Sequence, residues 1–229
     1  FRPDVVIYTF CINDIRDNAK RIGKPYFEID EADTGRLVAR GYPVAYAGTA
    51  GRRTANPVWR YSLVYRTFGL AVSKLGKLSP GGGTGLPLEE HFELTPYKVV
   101  YDEREAARWR VTRRLVAEMR AVASAGGAQF LVVENLHLPE IDSDAASRLT
   151  APYGGETGFD FDKVTRLFES FADDTGVAFM SLAREARRDE RTAGDLMPPG
   201  DTIHLSVEGI RLWARAVAGE LESREWLEM

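Results

Sequence analysis

Three short runs of consecutive apolar residues stand out along the chain, at 4–10, 129–134 and 177–181. Continuous apolar character without alternation is typical of a parallel strand that is buried on both faces of its sheet. The sequence therefore predicts three parallel strands in one covered sheet.

Longer segments between and after these runs carry apolar residues at helical spacing. The first covers 103–124, with Asp102 as its predicted N-cap and Gly126 as its stop. A second covers 161–174, and a third begins at Ser206. Strands that alternate with helices in this way indicate an α/β fold, a doubly wound parallel sheet with helices on both faces.

Residues 20–102 do not fit this alternation, because a connection from a strand to its helix is normally only a few residues long. We interpret 1–229 as a single domain in which 20–102 is an insertion that caps the strand ends. Within it, 59–75 is apolar enough for a helix, and the glycine-rich stretch 80–85 predicts a flexible tether.

Composition narrows the range of functions. Thirty Lys and Arg against thirty-four Asp and Glu give a net charge of -4, which offers no global attraction to nucleic acid. The apolar runs are far shorter than the roughly 20 residues that cross a bilayer as a helix, so no membrane span is predicted. One cysteine and three histidines argue against a disulfide, a zinc cluster or a histidine-rich metal site.

Two polar clusters lie where an open α/β sheet binds its ligands. Asn13 and Asp14 follow the first strand, and Asp201 and His204 precede the last helix. An aspartate three residues before a histidine can orient its imidazole as a general base. An asparagine at a strand end can donate its amide to a developing oxyanion.

A structural interpretation of the same residues stays open. Asn13 and Asp14 could cap the next segment, Asp201 could shape the preceding proline turn, and His204 could be buried and satisfied by backbone. Asp14, Asp17 and Asn18 lack the glycine and distal glutamate of a calcium loop, so we predict no metal there.

Three further residues are left out of the predicted catalytic set. We expect His91 to be a surface or lid residue, His137 to be a loop residue near the cleft, and Cys11 to be a small buried residue at its strand end.

Two blocks at opposite ends of the chain resemble the SGNH/GDSL hydrolase superfamily, which is named for its invariant Ser, Gly, Asn and His. They are PDVVIYTFCINDIRDN at 3–18, followed by KPYF at 24–27, and PGDTIHLSVEGIRLWA at 199–214. The first is similar to bacterial members that carry a long insertion after it. The resemblance implies a flavodoxin-like sheet, Asn13 as an oxyanion donor, His204 as the base, Asp201 as its orienting carboxylate, and no cofactor.

The chain also departs from the family pattern. Cys11 and Ile12 stand where the family has a glycine before the Asn-Asp pair, and no Gly-Asp-Ser occurs in the sequence. In the family that serine follows a strand upstream of the one that begins here at Asp4. We therefore expect the 229 residues to be the carboxyl-terminal portion of a longer hydrolase, without its first two strands and its serine, and inactive alone.

The resulting hypothesis is a serine esterase or acyl hydrolase that acts on a small-molecule or saccharide ester. An O-acyltransferase that transfers an acyl group to a saccharide is a close alternative, because the same residues serve both reactions. A non-catalytic carbohydrate- or partner-binding module is another. A nucleotide-binding protein is less favoured, since no glycine-rich phosphate loop follows a strand. Resemblance to exported or membrane-anchored bacterial members favours an extracytoplasmic location.

Overall fold

A computed structural model describes residues 2–19, 26–30, 36–40, 88, 91, 93–189 and 191–227. The chain divides into two compact units, Phe1–Asn18 with Leu88–Met229, and Ala19–Pro87. Residues 93–102 of the predicted insertion thus belong to the unit that holds the sheet. The helix predicted over 59–75 and the tether predicted at 80–85 lie outside the described residues.

The described strands form one parallel sheet and one hairpin. They are β1 (Val5–Phe10), β2 (Tyr26–Asp30), β3 (Arg36–Arg40), β4 (Gln129–Glu134) and β5 (Ala178–Ser181). In the larger unit the strand order is β1-β4-β5, and both pairings are parallel. In the smaller unit β2 and β3 pair antiparallel. The predicted α/β fold with a parallel sheet is confirmed.

The described α-helices lie between and after the parallel strands. They are α1 (Asp14–Asp17), α2 (Glu103–Ala125), α3 (Ser143–Thr150), α4 (Lys163–Thr175), α5 (Leu182–Arg188), α6 (Ala193–Leu196) and α7 (Val207–Ser223). Asp102 accepts a hydrogen bond from the Glu105 backbone N–H at 2.9 Å, as its predicted capping role requires. None of the described helices is long and apolar enough to cross a membrane.

The central strand β4 is covered on both faces, which explains its unbroken apolar sequence. Phe130 and Val132 pack into a core with α2 and α4, whereas Leu131 and Val133 pack against α7. Successive side chains of a strand point to opposite faces, so each face needs its own layer of helices. This arrangement confirms helices on both faces of the sheet.

Aromatic packing holds β1 and β5 to α4. The Phe168 ring lies 4.6 Å from the Phe10 ring and 5.3 Å from the Phe179 ring, measured between centroids. Trp109 of α2 packs edge-on against the same ring at 4.9 Å. Phe10 is the last residue of β1, so this cluster fixes the position from which the Asn13 turn begins.

Helices α6 and α7 contact each other closely at the two ends of the loop that carries His204. The Ser206 backbone N–H donates to the Leu196 carbonyl at 2.9 Å, and the Ser206 hydroxyl caps α7 by accepting from Gly209 N–H at 3.1 Å. Gly209 packs directly on the Leu196 carbonyl, so close that a Cβ atom at this position would overlap it. The loop between these helices is therefore held at both ends.

We predict that Gly209→Ala destabilises the protein by about 1–3 kcal/mol, because the added methyl group forces α6 and α7 apart. Gly219→Ala in the same helix is the matched control, since nothing lies within 4 Å of its would-be Cβ. The control is expected to be neutral or stabilising by up to about 1 kcal/mol through helix propensity. Urea unfolding measures both, and equal effects of the two substitutions would contradict the close contact.

Candidate functional site

The predicted site residues lie on segments that meet at the carboxyl edge of the sheet. The backbone N–H of Asn135, the first residue after β4, donates to the Phe10 carbonyl at 2.8 Å. The strand pairing thus continues to the last residue of β1, and the turn that carries Asn13 starts next to the end of β4. Ligands of open α/β sheets bind at this edge.

Asp201 and His204 form the contact that their spacing predicts. The imidazole Nδ1 of His204 lies 2.9 Å from Asp201 Oδ2 and 3.1 Å from Oδ1. Asp201 Oδ1 also accepts the backbone N–H groups of Ile203 and His204, each at 3.0 Å. The carboxylate therefore fixes both the loop backbone and the ring.

The His204 side chain is 73% exposed, so the interpretation of it as a buried histidine is wrong. Asp201 does more than shape the proline turn, although its own backbone N–H does donate to the Pro198 carbonyl at 3.0 Å. The exposed ring leaves Nε2 accessible for proton transfer while Nδ1 faces the carboxylate.

The charge of Asp201 suits this role. Burial raises the pKa of its carboxyl. The hydrogen bonds from the Ile203 and His204 backbone and from the His204 ring lower the pKa by more, so the net pKa lies below its ordinary value. Asp201 is consequently ionised at neutral pH. An ionised carboxylate holds the proton on Nδ1 and stabilises the imidazolium that forms when Nε2 accepts a proton.

Asn13 stands at the start of α1 and makes no side-chain capping hydrogen bond. The neighbouring Asp14 closes the turn instead, because its Oδ2 accepts from the Cys11 backbone N–H and the Tyr8 hydroxyl, both at 3.0 Å. Capping therefore does not account for the Asn13 carboxamide. Asn13 follows β1, where the sequence predicts an oxyanion donor, and that role stays a prediction.

Cys11 and Ile12 pack within the turn that precedes Asn13. The SGNH/GDSL pattern has a glycine at this place. Ile12 is buried in the main core, and burial together with the negative charge of Asp14 raises the pKa of the half-buried Cys11 thiol. A thiol with a raised pKa is a poor nucleophile at neutral pH.

A buried polar cluster, which no pattern in the sequence predicts, lies beneath the carboxyl edge of the sheet. The Tyr97 hydroxyl donates to Glu140 Oε1 at 2.6 Å and lies 3.1 Å from His137 Nδ1. The His137 backbone N–H donates to Glu140 Oε2 at 3.0 Å. These side chains come from segments that are 40 or more residues apart, so no local pattern could reveal the cluster.

Burial disfavours the charged forms of two ionisable side chains in this cluster, Glu140 and His137. Burial raises the pKa of Glu140 well above its ordinary value and lowers the pKa of His137. The neutral form of a buried group costs far less free energy to desolvate than its charged form.

His91 is buried as well, and the expectation that it is a surface or lid residue is wrong. It stands in the segment that packs onto this cluster, where its ring meets Tyr153 edge-on with 5.7 Å between centroids.

Glu134, at the end of β4, is a second buried carboxyl at this edge. Its Oε2 accepts from the Thr165 hydroxyl at 2.7 Å, and burial raises the pKa of Glu134 to about 7. Because the pKa in the native state exceeds the ordinary 4.5, the native state binds more protons than the unfolded state between these values. The contribution of Glu134 to the free energy of unfolding thus falls as pH rises from about 4.5 to 7.

We predict that Glu134→Gln reduces the fall in the free energy of unfolding with rising pH, because the amide has no proton to lose in this pH range. The variant should gain roughly 1–3 kcal/mol over the wild type between pH 4.5 and pH 8, while Glu140, His91 and His137 contribute to the slope that remains. Chemical unfolding across that range measures it. Glu118→Gln, at an exposed ion pair with Arg114, is the control and should leave the slope unchanged; an unchanged slope in Glu134→Gln would contradict the raised pKa.

Within the described ranges, no group of three or more His, Cys, Asp or Glu side chains is arranged to hold a metal ion. Comparisons with protein-family models, with curated proteins and with solved structures find no match for this chain. The functional interpretation therefore depends on the geometry of the site and on the motifs themselves.

Proposed function

We propose that this chain carries the general base and an oxyanion donor of a serine esterase or acyl hydrolase of the SGNH type. The observation that carries the proposal is the contact of 2.9 Å between Asp201 and an exposed His204. The Asp201 carboxylate is itself held by two backbone N–H groups, so it presents a fixed acceptor to Nδ1 of His204, as the orienting partner of a general base requires.

In the proposed reaction a serine hydroxyl attacks the carbonyl carbon of an ester. Nε2 of His204 removes the hydroxyl proton as the new C–O bond forms, and the carbonyl electron pair moves onto oxygen. The Asn13 carboxamide donates a hydrogen bond to that oxyanion. His204 then returns the proton to the departing alcohol, and water repeats the cycle to release the acid.

The proposed nucleophile is a serine outside these 229 residues, because the sequence contains no Gly-Asp-Ser. An upstream serine would approach the carboxyl edge of the sheet from a strand beside β1. Among the described strands, β1 pairs with β4 alone, so this proposal requires a partner for the other edge of β1.

The test is fluorophosphonate labelling of the full-length protein, followed by peptide mapping. We expect one labelled serine upstream of Phe1. His204→Ala should slow the labelling by about 10²-fold or more, because the serine loses its base. Asp201→Asn should also slow it strongly, since an amide no longer holds the proton on Nδ1.

Asn13→Ala should reduce ester turnover by about 10²-fold, since it removes an oxyanion donor. Asp144→Asn, an exposed carboxylate on α3, is the matched control for Asp201→Asn and should label at the wild-type rate. Absence of labelling in the folded wild-type protein would contradict the proposal and favour a binding module. Acyl transfer to a saccharide faster than hydrolysis would assign the acyltransferase alternative.

A further inference from the structure

The side chain of Asn135 contacts both halves of the candidate site. Its Nδ2 donates to the Ile203 carbonyl at 3.3 Å and lies 3.7 Å from the Cys11 sulfur. Ile203 directly precedes His204, and Cys11 stands two residues before Asn13. One carboxamide thus spans the gap between the turn that carries the oxyanion donor and the loop that carries the base.

The backbone of Asn135 is itself held firmly. Its N–H donates to the Phe10 carbonyl at 2.8 Å, which extends the pairing of β1 with β4. Three residues later the Leu138 N–H donates to the Thr202 carbonyl at 2.8 Å. The same segment therefore makes a second hydrogen bond to the His204 loop.

The buried cluster of Tyr97, His137 and Glu140 supports this segment from below. The Glu140 carboxyl accepts the His137 backbone N–H, and the Tyr97 hydroxyl connects the two side chains. The Arg187 guanidinium also donates to the Glu140 carbonyl, at 3.0 Å from Nε. The segment 135–140 therefore forms a rigid platform, and Asn135 is the part of it that reaches both halves of the site.

His204 needs such a support because its ring is exposed. Within the described part of the chain, the hydrogen-bonding contact of the imidazole is with Asp201, which belongs to the same loop. A carboxylate in the same loop orients the ring within that loop but does not place the loop relative to Asn13. That placement has to come from a residue outside the loop.

We propose that Asn135 is a positioning residue that sets the distance between His204 and the Asn13 turn. The catalytic importance of the distance between His204 and the Asn13 turn rests on the proposed function. The contacts of Asn135 with Ile203 and Cys11 do not depend on it. Since a misplacement of about 1 Å in an active site can cost up to about 100-fold in rate, loss of the bridge should lower kcat without weakening substrate binding.

The test compares Asn135→Asp, Asn135→Ala and Gln129→Glu in the full-length protein. Asn135→Asp keeps the shape but replaces the donor with a carboxylate that repels the Ile203 carbonyl. Gln129→Glu makes the same change from amide to acid at the exposed, opposite end of β4 and is the matched control.

The first measurement is amide hydrogen exchange, which needs no activity. Both Asn135 variants should accelerate exchange at Ile203 and His204, whose N–H groups donate to Asp201, by about tenfold. Gln129→Glu should leave these rates within about twofold of wild type. Unchanged exchange in both Asn135 variants would overturn the bridge, whatever the protein catalyses.

The second measurement asks whether Asn135 acts through His204. Asn135→Ala should slow fluorophosphonate labelling by about tenfold in the wild type but by less than about twofold in the His204→Ala background. On an ester substrate, kcat should fall while KM stays within about twofold. Equal losses in both backgrounds would mean a merely structural role and would overturn the positioning proposal.

The two measurements separate the two ideas. If the wild-type protein is not labelled, the proposed hydrolase function fails, yet hydrogen exchange still decides whether Asn135 holds the loop. If the wild type is labelled and the Asn135 variants match it in labelling and in exchange, the hydrolase function stands and the positioning role is wrong.

Discussion

The burial of β4 on both faces is the constraint on which the rest of the structure depends. A strand in this position must satisfy all its backbone groups through neighbouring strands, so β1 and β5 pair with it in parallel. Parallel pairing brings the carboxyl ends of the three strands to one edge. This pairing brings the Asn13 turn and Asn135 together there.

The two halves of the candidate site are built in different ways. The Asp201 and His204 pair is complete within four residues, since the carboxylate binds the backbone and the ring of its own loop. The Asn13 turn is also local, with Asp14 closing it. The two parts are connected by tertiary contacts of Asn135, a residue more than 60 positions away from either in sequence.

Buried ionisable groups are concentrated beneath this same edge. Burying Glu134, Glu140 and His137 disfavours their charged forms, as the shifts in their pKa values show. Such groups weaken a core that apolar residues could fill. Their hydrogen bonds give the platform a single arrangement, which apolar side chains do not impose as strictly. Rigidity at this edge is what a site assembled from three chain segments requires.

The sequence by itself determined the elements and the local chemistry. The strand β4 has its predicted bounds, 129–134. Helix α2 ends at Ala125, one residue later than predicted. The second helix begins at Lys163, two residues later than predicted, because Asp160 and Asp162 form a turn before it. The Asp201 and His204 contact has the spacing that the sequence suggests for it, and Asp102 caps its helix as predicted.

Only the tertiary structure decided which residues surround these elements. The burial of His91 and His137, the raised pKa of Glu134 and the bridging contacts of Asn135 all depend on partners far away in the chain. Periodicity and capping act over a few residues and therefore leave a signal in the sequence. Burial and hydrogen bonding between distant segments arise only when the layers close, so the platform beneath the site was visible only in the folded chain.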